Sequence, residues 1–227
     1  MGWRTMSKKL VLFCDFDGTI TEKDNIVAIV KKFAPPEWEA LTEQILSQKI
    51  SVQEGVGKLF QLLPSSLRQD IVDYIVNEAT IRPGFADFVR FCREEGIELL
   101  ITSGGIDFFV KPILAPFDLD HVPIYCNGSD FSGENITITW PHSCDEHCTN
   151  GCGMCKTTII RRYDPATHYR VVIGDSITDL AGAKIADFVI ARSFLAQKAE
   201  ELQLSHSTFA TFHDVIATLT QLKQEVV

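Results

Sequence analysis

Acidic residues, a serine and glycines stand where short apolar segments of this sequence end. Asp15 and Asp17 follow one such segment, Ser103 follows a second and Asp175 follows a third. Ligands of open α/β sheets bind beyond the carboxyl ends of the strands, so we expect these residues to meet at one edge. Crowded carboxylates need a cation between them, and oxygen ligands suit Mg²⁺, which also binds substrate phosphate.

This set of side chains predicts phosphoryl transfer. A carboxylate such as Asp15 can attack phosphorus and form an acyl phosphate. Asp17, two residues later, can protonate the leaving oxygen and afterwards activate water. We expect Gly18 to let the backbone approach the phosphate closely, and Ser103 with the amide of Gly104 to hold phosphoryl oxygens.

The elements that must position these residues follow from hydrophobic patterning. Four short apolar runs predict buried parallel strands: residues 11–14, 97–102, 170–173 and 188–191. Amphipathic patterns predict helices between and after them: residues 85–95, 178–185 and 213–223. Strands alternating with helices predict a doubly wound α/β fold with a mainly parallel sheet.

Two segments interrupt this alternation. Residues 24–81 have helical patterns throughout, with capping-box spacing at Ser51 and at Ser66. We predict a helical cap domain over 24–81 and a catalytic core over 7–23 and 82–227; a helical hairpin that only packs on the core is the alternative. Alternating residues within 124–140 predict a β-hairpin beside the main sheet.

Composition narrows the classes of partner. The net charge is −9, with 30 acidic and 21 basic residues among 227, which disfavours nucleic acid. A small phosphorylated metabolite remains suitable if a metal supplies positive charge. No apolar run approaches the roughly 18 residues needed to span a bilayer, and the first apolar stretch is too short for a signal peptide. We therefore expect a cytoplasmic protein, and the sequence carries no signal for oligomeric state.

Four motifs resemble those of the haloacid-dehalogenase superfamily: residues 15–19, Ser103, Lys156 and residues 174–179. The match spans about residues 10–192, and the helical insertion resembles the cap of phosphoserine phosphatases. The resemblance implies a magnesium-dependent phosphatase. Because the dehalogenases proper lack the second acid of the first motif, the presence of Asp17 favours phosphate substrates.

The resemblance also implies a role for each matched residue. It makes Asp15 the nucleophile and a metal ligand, and Asp17 the general acid and base, with its carbonyl on the metal. Ser103 and Lys156 become phosphate ligands. The fourth motif supplies Asp175 as the third metal ligand and Asp179 as a residue that supports the ligands from behind.

Further segments resemble a methionine-salvage subgroup of these phosphatases, among them residues 24–25, 33–38, 103–109 and 140–144. That likeness implies 2-hydroxy-3-keto-5-methylthiopentenyl-1-phosphate as substrate. A phosphoserine or other small-metabolite phosphatase is the alternative, with Asp24 meeting the substrate. A non-enzymatic module that only accepts phosphate on an aspartate is a more distant one.

A second cluster is formed by Cys144, Cys148, Cys152 and Cys155. Four thiolates can close a tetrahedral zinc site, although the spacing is tighter than that of usual zinc knuckles. Structural zinc, disulfide pairing and free thiols remain alternatives at this stage. Because the cluster runs directly into Lys156, whatever organises it also positions that lysine.

Overall fold

A seven-stranded sheet forms the centre of the computed structural model, which describes residues 8–226. Its strands are β1 (Lys9–Cys14), β2 (Glu98–Ile106), β3 (Ile124–Asp130), β4 (Thr137–Thr139), β5 (His168–Gly174), β6 (Phe188–Ala191) and β7 (His206–Thr208). They lie in the order β4-β3-β2-β1-β5-β6-β7, and every pair is parallel except β3 with β4. The predicted α/β fold with a mainly parallel sheet is confirmed.

Both faces of the sheet are covered. Leu10 and Leu12 of β1 pack into one apolar cluster, and Val11 and Phe13 pack into a second. The covering helices are α5 (Phe85–Glu94), α6 (Asp107–Leu114), α7 (Lys156–Ile160), α8 (Ile177–Ala183), α9 (Ser193–Glu201) and α10 (Phe212–Val226). Because neither face meets water, each central strand is a continuous apolar run rather than an alternating one.

An all-helical insertion separates β1 from α5. It contains α1 (Asn25–Phe33), α2 (Trp38–Leu46), α3 (Val52–Gln61) and α4 (Arg68–Glu78). A single antiparallel bridge between Thr21 and Ile81 brings the two ends of the insertion together. The predicted all-helical insertion is therefore confirmed.

One of the two predicted helix starts in this insertion is right. The Ser51 hydroxyl accepts a hydrogen bond from the Glu54 amide at 3.1 Å and caps α3. The corresponding prediction for Ser66 is wrong. Ser66 lies inside a short 3₁₀ turn (Ser65–Leu67) that runs directly into α4, so α4 has no side-chain cap.

β2 is longer than the sequence predicts. It continues past Thr102 to Ile106, and its pairing with β3 shifts between those two residues. The segment 103–105, which we expected to lie beyond the end of the predicted strand 97–102, is therefore an irregular continuation of that strand. The predicted hairpin is confirmed by the antiparallel pairing of β3 with β4. It does not lie beside the sheet, because β3 itself pairs with β2 and forms part of it.

Four elements were not predicted. The helices α6, α7 and α9 received no assignment. β7 has three residues, all polar and none fully buried, so it lacks any apolar signal. The predictions that concern residues 1–7, including the start of the core domain at residue 7 and the reading of the N-terminus, fall outside the described residues. Within residues 8–226, no helix combines the length and apolar character required to cross a bilayer.

Candidate active site

Three adjacent strands bring the predicted site residues to one edge of the sheet. β1 lies between β2 and β5, and all three run parallel, so their carboxyl ends point the same way. Asp15 follows β1, Asp175 follows β5, and Ser103 lies within β2 near its carboxyl end. The Asp15 amide donates to the Ile173 carbonyl at 2.9 Å, which continues the pairing and fixes where Asp15 leaves the sheet.

A group of three carboxylates with one lysine lies at this edge. Oxygen atoms of Asp15, Asp175 and Asp179 all lie within 4.8 Å of one another. The Nζ atom of Lys156 is 2.6 Å from Oδ1 of Asp15 and also contacts the carboxylate of Asp179. From the sequence we grouped Asp17 with Asp15 and Asp175, whereas the third acid of this group is Asp179. One buried cation facing three acids leaves an excess of negative charge.

Burial and this excess of negative charge both shift the pKa values of the group. Burial raises the pKa of Asp15 well above its ordinary value, and the charge of Asp179 raises it further. Burial, followed by the charge of Asp179, raises the pKa of Asp175 to about 6. Burial alone would lower the pKa of Lys156, but the charges of Asp15 and Asp179 outweigh it and the pKa is raised. A divalent cation would relieve the repulsion among the acids.

Gly18 makes room for Asp175. Its φ is +79°, and a Cβ at this position would lie 2.4 Å from Oδ2 of Asp175. The Thr19 hydroxyl donates to Oδ1 of the same carboxylate at 2.9 Å. The glycine therefore admits a protein carboxylate, in addition to the close phosphate contact predicted for its backbone.

The carboxylate of Asp17 is bound by Asn25. The Asn25 side-chain amide and backbone amide both donate to Oδ1 of Asp17, at 2.6 and 2.9 Å. Burial, and then the charge of Asp24, raise the pKa of Asp17 to about 7, against the lowering effect of the two hydrogen bonds. An acid with this pKa can both donate and accept a proton near neutral pH. The sequence singled out Asn25 only as part of a resembling segment.

The second oxygen of Asp17 lies beside the irregular end of β2. A Cβ on Gly105 would be 2.9 Å from Oδ2 of Asp17 and 3.0 Å from the Ser103 hydroxyl oxygen. The Asp17 carboxylate and the Ser103 hydroxyl therefore both lie close to this glycine. Ser103 is buried, and its Oγ accepts from the Gly105 amide at 2.9 Å. Gly104 is half-buried, with no atom within 4 Å of its added Cβ, and its carbonyl accepts from Asn127 at 2.7 Å.

Asp179 connects the lysine to the backbone of the fourth motif. Its Oδ2 accepts from the amides of Asp175 and Ser176, at 3.1 and 3.0 Å, at the start of α8. A Cβ on Gly174 would lie 2.5 Å from its Cγ. This carboxylate thus holds Asp175 from behind while its other oxygen binds Lys156.

Arg82 supports the first motif, and sequence reasoning missed it. Its buried guanidinium donates to the carbonyl of Thr19 at 2.7 Å and to that of Gly18 at 2.8 Å. These bonds fix the loop that carries Gly18 against Asp175. A lone arginine after a helical segment resembles any surface arginine, so the sequence gives no signal for this role.

Asp24, which we predicted to meet the substrate, caps a helix in the structure. It is exposed, and its Oδ1 accepts from the Val27 amide at 2.9 Å, which caps α1. This cap explains the residue type at the start of the helix. Its charge still acts on the neighbouring Asp17.

The four clustered cysteines also come together. Their Sγ atoms all lie within 4.8 Å of one another, and no disulfide joins any of the four. Cys155 directly precedes Lys156, which begins α7.

Residues 12–184 match the family model described as haloacid dehalogenase-like hydrolase. The chain belongs to this hydrolase family. The match covers all four predicted motifs, from the strand before Asp15 to the helix after Asp175.

Curated relatives of this hydrolase are similar over almost their whole length. A protein of Brevibacillus brevis is 89% identical over 98% of this chain and 100% of its own length. A protein of Geobacillus kaustophilus is 61% identical over 96% of this chain and 99% of its own. Both relatives are called 2-hydroxy-3-keto-5-methylthiopentenyl-1-phosphate phosphatase.

Solved structures of low sequence identity share the fold of this hydrolase. A phospho-aspartyl intermediate analogue of phosphoserine phosphatase superposes with a TM-score of 0.68 at 20% identity, covering 93% of this chain and 99% of that one. A phosphoserine phosphatase from T. onnurineus superposes with a TM-score of 0.67 at 17% identity, covering 96% of each chain. At these identities the likeness concerns the fold alone.

Proposed function

We propose that this hydrolase acts in methionine salvage, where it converts 2-hydroxy-3-keto-5-methylthiopentenyl-1-phosphate to 1,2-dihydroxy-3-keto-5-methylthiopentene and phosphate. The observation that carries this substrate is the 89% identity, over almost the full chain, to a relative with that activity in its name. The group formed by Asp15, Asp175, Asp179 and Lys156, with Asp17 nearby, supports the phosphatase chemistry independently of the name.

The first half-reaction uses Asp15 and Asp17. A carboxylate oxygen of Asp15 forms a bond to phosphorus, and the bond from phosphorus to the ester oxygen breaks. Asp17 enters as the carboxylic acid and gives its proton to that departing oxygen, which leaves as an alcohol or enol. The pKa of Asp17, raised to about 7 by burial and then by Asp24, keeps a large protonated fraction available near neutral pH.

The second half-reaction reverses the role of Asp17. Its carboxylate now takes a proton from water while the water oxygen bonds to phosphorus. The bond between phosphorus and the Asp15 oxygen breaks, so inorganic phosphate leaves and both acids regain their starting forms. In this proposal Lys156 and Ser103 bind the phosphoryl oxygens, together with the backbone of Gly18 and Gly104.

Two of the acids support Mg²⁺ as the metal. An octahedral ion with bonds of about 2.1 Å has ligand oxygens about 3.0 or 4.2 Å apart, and Asp15 and Asp175 bring carboxylate oxygens within 4.8 Å of each other. We propose Asp15, Asp175 and the Asp17 carbonyl as ligands, with Asp179 holding Asp175 from behind. When bound, the ion supplies positive charge for the phosphoryl group. Hard oxygens suit magnesium here, whereas the four thiols elsewhere suit zinc.

We propose that residues 24–81 act as a cap domain above a core formed by residues 7–23 and 82–227. The insertion leaves the sheet directly after the first motif, and Asn25 at the start of α1 already contacts Asp17. Movement of α1 would thus change the hydrogen bonding of the general acid Asp17. We also propose a cytoplasmic location, because a phosphorylated metabolite and seven cysteines outside any disulfide suit a reducing compartment.

Steady-state rates on a panel of phosphate esters test the substrate. We expect the methylthiopentenyl ester to have the highest kcat/KM. A hundredfold preference for phosphoserine, about 2.7 kcal/mol in transition-state free energy, would reject it. Phosphoserine phosphatase is the second candidate only because of the shared fold.

Variants of the two acids test the mechanism. Asp15→Asn should abolish acyl-phosphate formation and lower kcat by several orders of magnitude. Asp17→Asn should slow both half-reactions in single-turnover experiments while leaving Mg²⁺ binding largely intact. Asp87→Asn, at an exposed acid of α5 that pairs with Arg90, is the matched control and should retain full activity. Unchanged turnover in Asp15→Asn would reject the aspartyl-phosphate route.

A further inference from the structure

The four clustered cysteines lie on one loop, residues 142–155, which we call the cysteine loop. Their Sγ atoms come within 4.8 Å of one another, and those of Cys148 and Cys152 are 3.8 Å apart. The backbone amide of Cys152 also points at Cys144 Sγ, at 3.4 Å. Sulfur atoms gathered from four positions around one centre are the donor set of a closed structural site.

The spacing of the sulfurs distinguishes zinc from disulfides. Tetrahedral zinc with bonds of about 2.3 Å places its sulfurs about 3.8 Å apart, the separation between Cys148 and Cys152. A disulfide brings two sulfurs to about 2.05 Å and leaves the other pair outside a common centre. We propose that Cys144, Cys148, Cys152 and Cys155 bind one zinc ion, and that the zinc-bound cysteine loop ties the start of α3 to Lys156.

One side of the cysteine loop contacts the helical insertion. The Gln53 amide donates to the Gly151 carbonyl at 3.0 Å. Gly151 has φ +61°, and a Cβ there would lie 2.8 Å from Cβ of Ser51, the residue that caps α3. Only a glycine fits this contact, so the loop lies directly against the beginning of α3.

The other side of the cysteine loop contacts the core. The Cys155 amide donates to the His142 carbonyl at 2.8 Å, which closes the loop on itself. Asp145 binds the Arg161 side chain at 3.0 Å and so fastens the loop to the end of α7. Lys156, the first residue of α7, reaches Asp15 at 2.6 Å. A metal that fixes Cys155 therefore also fixes the backbone from which the lysine extends.

Zinc binding by the four cysteines gives this loop a rigid core that its own side chains do not provide. With few apolar residues of its own, a loop of this length depends on cross-links to hold one shape. The ion is thus a positioning device for Lys156 and for α3. This role is separate from Mg²⁺ at the acid group and does not depend on which phosphate ester is the substrate.

Metal analysis of the full chain tests the site without any variant. Protein purified under reducing conditions without chelators, and gel-filtered into metal-free buffer, should carry one zinc per chain by mass spectrometry. Cobalt substituted for zinc should give intense thiolate-to-metal absorption and tetrahedral d–d bands.

Cys148→Ser should lose the zinc, whereas Cys92→Ala, at a buried thiol on α5, should keep it. Zinc-free protein, or cross-linked cysteines in its place, would overturn the site.

Hydrogen exchange tests the positioning role separately. Removing zinc with a thiol reagent, or the Cys148→Ser change, should raise exchange rates at least tenfold at residues 51–55 and 156–160. Residues 188–201, on the far side of β5, should keep their rates and serve as the internal control. Exchange that is unchanged at both segments, or raised uniformly over the chain, would refute the positioning role.

Discussion

Replacing Gly18 with alanine tests whether Asp175 must lie directly against the loop that follows β1. Gly18 has φ +79°, and its added Cβ would lie 2.4, 2.8 and 2.9 Å from three atoms of the Asp175 carboxylate. Ordinary contact begins at 3.4 Å, so the carboxylate must move by 3.4 − 2.4 = 1.0 Å. Arg82 binds the Gly18 and Thr19 carbonyls, which prevents the loop from moving away instead.

The magnitude follows from two contributions. An alanine held in the left-handed region costs about 1–2 kcal/mol. Displacement of Asp175 also breaks its hydrogen bond from Thr19, a bond to a charged group worth about 1.5–3 kcal/mol. We expect Gly18→Ala to lower the free energy of unfolding by about 2.5–5 kcal/mol and to weaken Mg²⁺ binding by about 10–100-fold, the usual effect of disturbing the support of a metal ligand.

Gly96→Ala is the matched control. Gly96 also has positive φ, +64°, but no atom lies within 4 Å of its added Cβ, so this variant carries the backbone strain alone. Both variants should be titrated with Mg²⁺ at saturating substrate and melted in EDTA. Gly96→Ala should lose about 1–2 kcal/mol with unchanged Mg²⁺ dependence. If Gly18→Ala reaches half-maximal rate at the wild-type Mg²⁺ concentration, the close packing of Gly18 against a metal ligand is not what places Asp175.

Three further predictions concern the charges of the site. Asn25→Ala removes a hydrogen bond that lowers the pKa of Asp17. The pKa of the general acid in the kcat profile should therefore rise by about 1–2 units, and an unchanged profile would show that Asn25 does not hold Asp17. Lys156→Met leaves Asp15 and Asp179 without their cation and should destabilise the metal-free protein by about 3–5 kcal/mol, measured by melting in EDTA. Because burial raises the pKa of Asp17 to about 7, the folded state binds its proton more tightly than the unfolded state. Metal-free stability should thus fall between about pH 4 and pH 7, as melting in EDTA would measure. Burial also raises the pKa of the proposed ligand Asp175 to about 6, so the melting-temperature gain from Mg²⁺ should grow between about pH 4 and pH 6; a gain independent of pH would contradict this.

The fold class and the location of the site could be predicted from the sequence because both depend on local patterns. Strands covered on both faces are continuous apolar runs, and such runs are visible without knowing their neighbours. Reactive residues that directly follow these runs must meet at the carboxyl edge of a parallel sheet. Asp15 and Asp175, 160 positions apart, were placed together on that ground, and the structure brings their oxygens within 4.8 Å.

Other parts of the site depend on contacts that no local pattern reports. Asp179 rather than Asp17 completes the acid group, since α8 turns its carboxylate back towards Lys156. The pairing of β2 with β3 decides that the glycines after Ser103 continue a strand instead of forming a turn.

The amino-acid sequence by itself determined which residue types stand at the strand ends, and with them the chemistry open to this protein. Only the tertiary structure decided how that chemistry is held. The contacts of Asn25 with Asp17, of Arg82 with Gly18 and of the cysteine loop with α3 join residues that lie 8, 64 and 98 positions apart in the sequence. Burial patterns repeat locally and can be read along one segment, whereas these contacts exist only after the whole sheet and its insertion have packed.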